Sequence, residues 1–298
     1  MKCTKPSVLV VLVPTLAVAL GVSRSAGSQG QASNGEVTLS VEGPRPLAEA
    51  AKLLELKLGV GVSYEDVPLV YSGDYARASD TSWGRKYGDD HGEFKAANPL
   101  SLIGGTLQIQ FQIDPRTTKP IASASRLLQD VIDQHSARKN PGEFTLATVS
   151  NDFSIVPTAA RDRSGKMVAV RSPLDFPISF PVAERTGMET LRIFCDAVTM
   201  ASGYRVGVGT IPLNMLRNAV VRLGANGELA RDVLVKMLQG LRWSDPRTLG
   251  PMPKLSWQLL YGLEAHDIER GFYALNLGAV EREEPTRVGT IRRVRVLR

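Results

Sequence analysis

One pattern occurs twice in this chain: a strand, an amphipathic helix, a glycine and a second strand. In VEGPRPLAEAAKLLELKLGVGVSYED, from Val41 to Asp66, apolar residues recur every three to four positions, and Gly59 follows them as a left-handed cap. The segment from Ile178 to Val208 has the same order, with Gly203 after its helix. Such units bury one face of each element, so the repeat restricts the fold to packed layers of sheet and helix.

Each half of the chain continues in the same way. Alternating apolar residues predict a strand in TLQIQFQID, and a helix and two strands follow it up to residue 160. In the second half Ile178, Phe180 and Val182 alternate on the buried face of the first predicted strand, and comparable patterns follow Val208. Asn226 is expected to cap the later helix in NGELARDVLVKMLQGL. We therefore predict an α+β chain of two tandem two-layer domains, each approximately β-α-β-β-α-β-β. Domain 1 covers 36–160 with a polar insertion at 72–105, a linker covers 161–173, and domain 2 covers 174–280.

The first residues predict export. Lys2 and Lys5 precede an apolar run that contains a small-x-small cleavage pattern at Ala17–Ala19. We expect a signal peptide over 1–19, a disordered leader over 20–35, and a periplasmic or secreted protein. An uncleaved membrane anchor stays open as an alternative.

Only one of the two cysteines is expected in the mature chain, so no disulfide is expected within it. Cys3 lies within the signal, which leaves Cys195 without an intramolecular partner. Cys195 belongs to the apolar face of the predicted helix METLRIFCDAVTMASG, which favours a small buried side chain over a reactive thiol. The fold must then be stabilised by buried apolar surface.

The formal net charge of +6 is concentrated at the chain ends. The final stretch RVGTIRRVRVLR holds five arginines and no acid, so 281–298 is predicted to be a basic tail. Without this stretch and the signal lysines the body is nearly neutral, which argues against a nucleic-acid partner. The tail is either an amphipathic strand or a surface for anionic lipid.

Motifs of common enzymes and cofactor sites do not occur in the sequence. We expect no cofactor. Asp89, Asp90, His91 and Glu93 in DDHGEF form a weak candidate for a divalent metal site, with a solvated loop as the alternative. His135 is expected at the end of a helix, where it would complement the helix dipole.

A polar cluster follows the second predicted strand, in YEDVPLVYSGDY. Glu65, Asp66 and Asp74 lie among tyrosines there. Paired carboxylates beside aromatic rings suit glycan hydrolysis, which makes these three residues the candidate catalytic groups. The same composition suits the solvated end of a small sheet.

Interface candidates come from two further segments. Trp257 and Tyr261 alternate on one face of LSWQLLYG, and are either core residues or, on an open face, anchors for a partner. Arg292, Arg293 and Arg295 are the candidates in the tail.

Two stretches carry a family resemblance. VTLSVEGPRPLAEAAKLLELKLGVGVSYE, and NAVVRLGANGELARDVLVKMLQG with LSWQLLYG and FYALNL, resemble the short N-terminal domain shared by secretins and TonB-dependent receptors. The resemblance covers most of 36–277 and implies an exported, non-catalytic adaptor that docks envelope proteins. No long series of amphipathic strands follows, so the resemblance implies the short N-terminal domain alone and does not imply the function of a pore or a receptor.

The sequence thus predicts a binding or assembly module of the cell envelope that docks a partner protein through sheet edges or a groove. Two alternatives stay open. One is a hydrolase, carbohydrate-active or other, that uses Glu65, Asp66 and Asp74. The other is a protein that contacts anionic membrane surfaces through its arginine tail.

Overall fold

The protein has an α+β fold in which two helices of the first half and three of the second lie against short sheets. The computed structural model describes residues 35–81, 100–113, 123–149, 152–245, 250–264, 267–285 and 291–297. These residues belong to one compact unit. The predicted signal peptide and nearly all of the leader lie outside the described residues.

The first half of the described chain carries two α-helices and seven strands. In chain order they are β1 (Gly35–Gly43), α1 (Pro46–Leu58), β2 (Val62–Glu65), β3 (Tyr75–Arg77), β4 (Leu100–Leu102), β5 (Gly105–Ile113), α2 (Ala124–Ala137), β6 (Glu143–Val149) and β7 (Asp152–Arg161). Short 3₁₀ turns at Ser72–Asp74 and Ala78–Asp80 flank β3. The predicted polar insertion thus contains a small antiparallel pair, β3 with β4.

The second half is longer. Its elements are β8 (Met167–Ala169), β9 (Pro177–Thr186), α3 (Gly187–Ser202), β10 (Val206–Val208), α4 (Leu213–Asn218), β11 (Ala219–Leu229), α5 (Ala230–Gly240), β12 (Arg242–Trp243), β13 (Leu255–Glu264), β14 (Asp267–Ala279), β15 (Glu281–Pro285) and β16 (Ile291–Arg295). None of the helices in the described part of the chain combines the length and apolar composition needed to cross a bilayer.

The helices of the repeated unit end as the sequence predicts. Pro46 opens α1, and Gly59 ends it with φ of 66° and an N–H bonded to the Glu55 carbonyl at 2.8 Å. Gly203 ends α3 in the same left-handed conformation, with φ of 75°. Only glycine adopts this conformation without steric cost, so each glycine releases the chain into the following strand.

The pairing of the strands is repeated as well as their order. In the first half β1 pairs antiparallel with β5, β2 pairs parallel with β7, and β7 pairs antiparallel with β6. In the second half β9 pairs antiparallel with β11, β10 pairs parallel with β14, and β14 pairs antiparallel with β13. The two halves therefore share one topology.

The two halves are joined within one sheet. β2 of the first half pairs parallel with β13 of the second, which gives the strand order β10-β14-β13-β2-β7-β6, with β8 also paired to β7. The sheet therefore runs across the boundary predicted between 36–160 and 174–280. The predicted linker, 161–173, includes β8 and packs against the sheet rather than separating two bodies.

Two local expectations are wrong. Val182 was expected on the buried face of its strand, but it is 65% exposed, because the register of β9 with β11 shifts where Gly224 lies against it. Asn226 was expected to cap a helix; it lies within β11, and α5 begins at Ala230. The predicted tail, 281–298, contains β15 and β16, which pair with each other.

Cys195 is buried on the core face of α3, as the sequence predicts. Burial raises the pKa of its thiol to about 12, and the nearby Asp196 carboxylate acts in the same direction. The thiol is therefore protonated at neutral pH and serves as a small apolar side chain.

Because one sheet spans both halves, we predict a single cooperative unfolding transition. Leu54 is completely buried in the first half, and Leu54→Ala should lower the free energy of unfolding by about 2–5 kcal/mol through lost apolar contact and a residual cavity. Chemical denaturation followed by circular dichroism measures this. Met200, at 88% exposure, is the control: Met200→Ala should change the stability by less than about 0.5 kcal/mol. Two separate transitions, with Leu54→Ala shifting only one, would contradict a continuous sheet.

Candidate functional site

The three candidate carboxylates are buried, and each is bonded to a different arginine. β2 was expected to be a half-buried strand with a solvated end, but its pairing with β13 makes it a central strand and buries that end. The ion pairs are Glu65 with Arg231, Asp66 with Arg45, and Asp74 with Arg161.

Glu65 lies at the end of β2 and is completely buried. Arg231, in the first turn of α5, donates from Nε and Nη2 to the two Glu65 carboxylate oxygens, both at 2.8 Å. Ser172 donates its hydroxyl to the same carboxylate, and Arg231 also binds Asp175. Burial opposes the charge of Arg231, but its bonds to Glu65 and Asp175 outweigh burial and raise its pKa. The cluster ties β2, the segment before β9 and α5 together.

Asp66 and Arg45 extend the pairing of β2 with β13. Arg45 donates Nε to Asp66 Oδ2 at 2.6 Å, and Tyr64 donates its hydroxyl to Oδ1 at 2.6 Å. The backbone N–H of Tyr261 in β13 donates to Asp66 Oδ2 at 2.9 Å, while Arg45 donates to the Tyr261 carbonyl. Two side chains thus satisfy the backbone of β13 where the short strand β2 has ended.

Asp74 is held near the far end of β7. Arg161, the last residue of that strand, donates to its carboxylate and also lies over the ring of Tyr71, 5.9 Å from the ring centre. Burial raises the pKa of Asp74, and Arg161 counteracts that rise.

This arrangement is suited to holding the chain together. Glu65 and Asp66 each accept three hydrogen bonds shared over both carboxylate oxygens, and each is paired with an arginine in a buried position, so they are poorly placed to donate or remove a proton. The geometry therefore favours a structural role for Glu65 and Asp66, at the seam where the two halves meet. We call this region, β2 with β13 and the Glu65 and Asp66 clusters, the seam.

Trp257 and Tyr261 belong to the same seam. They are 6% and 4% exposed, so the face that carries them is closed. The Tyr261 ring packs edge-to-face on Tyr273 at 5.1 Å, and the backbone N–H of Trp257 donates to Ser63 Oγ at 3.3 Å. Both residues are core residues within the chain rather than anchors for a separate partner.

The tail arginines lie in β16, opposite an acidic strand. Arg292, Arg293 and Arg295 are exposed and stand opposite Glu284, Glu283 and Glu281 of β15. Arg292 contacts the Glu284 carboxylate at 3.2 Å. Opposite charges in cross-strand pairs stabilise a ribbon, so the amphipathic-strand interpretation of the tail describes these residues.

The metal candidates Asp89, Asp90, His91 and Glu93 lie outside the described residues. Within the described ranges, no group of three or more His, Cys, Asp or Glu side chains is placed to hold a metal ion. His135 lies in the last turn of α2, where the sequence placed it, and its side chain is buried. Its Nε2 contacts the Pro141 carbonyl at 3.1 Å and its ring packs edge-to-face on Phe144.

A groove of 350 Å³ lies beside β8. Apolar side chains line most of it, together with three charged residues and a tyrosine. The lining residues are Pro68, Val70, Ala160, Arg161, Asp162, Val168, Ala169, Val170, Arg171, Phe176 and Tyr204. Residues of both halves thus form its walls.

Sequence patterns located the carboxylates but not their partners. Arg45 lies between two prolines and Arg231 lies beside the apolar stripe of α5, and neither position differs in pattern from a solvated arginine. Their partners are 21 and 166 residues away. The turn around α1 brings Arg45 to Asp66, and the joining of the two halves brings Arg231 to Glu65.

No known family model, no curated protein and no solved structure matches this chain.

We predict that removing one partner of the Glu65 cluster is strongly destabilising. Arg231→Met leaves Glu65 charged, buried and unpaired, which should cost about 3–5 kcal/mol of unfolding free energy in urea denaturation. Arg231→Met combined with Glu65→Gln should recover a large part of the loss, because no buried charge remains. Arg242→Met is the matched control: its pair with Glu184 is more than half exposed on both sides, and the loss should be about 1 kcal/mol or less. Equal losses in the two single variants would contradict the role of burial.

His135 should make the protein less stable in acid. Burial lowers its pKa below 6.5, although the carbonyls of Pro141 and Gly142 and the charge of Asp66 act in the opposite direction. The unfolded chain therefore takes up the proton first, so the stability that neutral His135 contributes is complete above pH 6.5 and is lost as the pH falls below it. Melting temperatures recorded across this range should fall less steeply for His135→Phe than for the unmodified chain. Identical slopes would show that this residue does not control the acid response.

Proposed function

We propose that this chain is an exported, non-catalytic docking module of the cell envelope, and that it binds an extended segment of a partner protein along the outer edge of β1. One observation carries the proposal: β1 offers nine residues of regular strand whose outer edge is not paired in the described part of the structure. An open edge of this kind is a template for strand addition.

The backbone direction of β1 follows from its partner. Gln108 of β5 donates its N–H at 3.2 Å to the side chain of Gln134 in α2, and so faces away from β1. Gln108 lies opposite Ser40 in the antiparallel register, so Ser40 also faces away from the pair. By the two-residue period, the N–H and C=O groups of Thr38 and Ser40 point outward, while those of Leu39 and Val41 bond to β5.

Other long edges of the repeated units are obstructed. α2 covers the outer edge of β5, where Gln134 binds Gln108 and Arg138 donates to the Thr106 carbonyl. β9, the counterpart of β1 in the second half, contains Pro177 and Pro181 and has two breaks in its register with β11. Proline and irregular register are common protections of edge strands.

The two outer edges of the large sheet, at β10 and β6, are also less suited to strand addition than the edge of β1. The outer edge of β10 is capped, because the Thr199 hydroxyl accepts from the Val206 N–H at 2.9 Å and lies 3.3 Å from its carbonyl. The outer edge of β6 is free in the described residues, but it is shorter than β1 and its register with β7 shifts at Glu143–Phe144. The unbroken nine-residue edge of β1 is thus the better docking edge.

Two further points support a docking role. The buried carboxylates that suit hydrolysis by composition are each engaged by an arginine. The resemblance of the β1-α1-β2 stretch to the short N-terminal domain of secretins and TonB-dependent receptors implies an adaptor of the envelope.

We predict that a single proline on β1 abolishes partner capture. Ser40→Pro removes an outward N–H that is not used in the β1–β5 ladder, so the fold should persist while strand addition is blocked. Ser40→Ala, which retains the N–H, is the matched control. Crosslinking and affinity capture from envelope extracts should recover a partner with the unmodified chain and with Ser40→Ala, and lose it with Ser40→Pro. Failure of the unmodified chain to capture any protein, or equal capture by both variants, would contradict the proposal.

A further inference from the structure

The groove beside β8 is a second surface, separate from the β1 edge. Its volume of 350 Å³ lies within the range of small-molecule sites. Val70, Ala160, Val170 and Phe176 give it an apolar lining, and Tyr204 of the second half lies at another wall. Such a lining favours a ligand with an aliphatic part.

The wall formed by the β7–β8 hairpin is basic. Residues 160–171, ARDRSGKMVAVR, hold Arg161, Arg163, Lys166 and Arg171 against one acid, Asp162. This region was predicted to be a linker, yet it carries more net positive charge than the β15–β16 ribbon, in which acids stand opposite the arginines. Arg161 is paired with Asp74, and the hairpin still places a net positive charge beside the apolar groove.

Arg171 is held in place at the rim of this groove. Its guanidinium lies over the Phe176 ring at 4.5 Å and donates one N–H to the Asp175 carbonyl. The other N–H groups of Arg171 have no carboxylate partner among the described residues. A fixed guanidinium beside an apolar surface is a suitable site for a carboxylate or a phosphate.

We propose that the groove binds a small amphiphilic anion, with a single aliphatic chain along the apolar lining and a carboxylate or phosphate head at Arg171. Val168, a lining residue exposed on β8, adds to the apolar surface available to the chain. Charge complementarity selects an anion over a cation of the same length. This activity does not depend on strand addition at β1.

Isothermal titration with dodecanoate, dodecyl phosphate and dodecyltrimethylammonium, each below its micelle concentration, tests the proposal. We expect both anions to bind and the cation not to bind. The tighter of the two anions indicates whether a fatty acid or a phospholipid-like head is the natural class. Binding should weaken with added salt, because the head group contacts an exposed charge.

Two variants at exposed lining positions test the head-group contact at Arg171 and the apolar lining separately. Arg171→Gln should weaken dodecanoate binding about tenfold, the loss of one charge-assisted contact, and Ala169→Trp should abolish it by filling the groove. Arg217→Gln and Met200→Trp, at exposed positions on other elements, are the matched controls and should bind as the unmodified chain does. All four should keep the circular dichroism spectrum and melting temperature of the unmodified chain.

In the titrations, three results would overturn the proposal: no binding of either anion, equal binding of the cation, or unchanged dodecanoate binding by Ala169→Trp. Vesicles of zwitterionic lipid with and without anionic lipid provide the last arm. Binding to anionic vesicles that Ala169→Trp leaves intact would assign the basic hairpin to a membrane surface instead of the groove to a single amphiphile, and would also overturn it.

Discussion

The parallel pairing of β2 with β13 is the contact on which the rest of the structure depends. To the large sheet each repeat contributes three strands in a row, β2-β7-β6 or β13-β14-β10, with β2 or β13 at an open edge, and a small sheet of this kind has little core to stabilise it. The seam removes one such edge from each repeat at once. The two strands share few backbone hydrogen bonds, so the side chains of Asp66 and Arg45 extend the pairing by binding the backbone of β13. The ion pair of Glu65 with Arg231 connects α5 to the seam.

The seam also shows how a duplicated unit can join once and not repeatedly. β10 holds the position in the second half that β2 holds in the first, and both have a helix side chain at the first outward N–H: Glu55 at Val62 and Thr199 at Val206. Beyond that point the two differ, since Gly209 and Thr210 stand at the positions that Glu65, the last residue of β2, and Asp66 hold in the first half. The Thr210 N–H is bound by Asn276 of its own half at 2.6 Å. The second edge therefore lacks the ionic groups that build a seam.

Sequence periodicity predicted the local part of this architecture. The strands at β1 and β5, the helices with their glycine ends, and the duplicated element order follow from patterns within about 30 residues, because each depends on which face of one element is apolar. The seam depends on contacts between residues nearly 200 positions apart, and no local pattern encodes them. For the same reason Glu65 and Asp66 were recognised as an unusual pair, while their burial and their arginine partners were not. Val182 shows the other limit, since a one-residue shift in pairing reverses which side chains are buried.

The central claim is that the repeats fuse through one edge of each and leave β1 open for a partner. Residue-resolved amide hydrogen exchange of the isolated chain tests this most directly. The account predicts rapid exchange at Thr38 and Ser40, whose N–H groups face outward, and strong protection at Leu39, Val41 and in β2 and β13. Uniform protection along β1 would show that its edge is already occupied, and rapid exchange in β2 would show that the two halves are not joined.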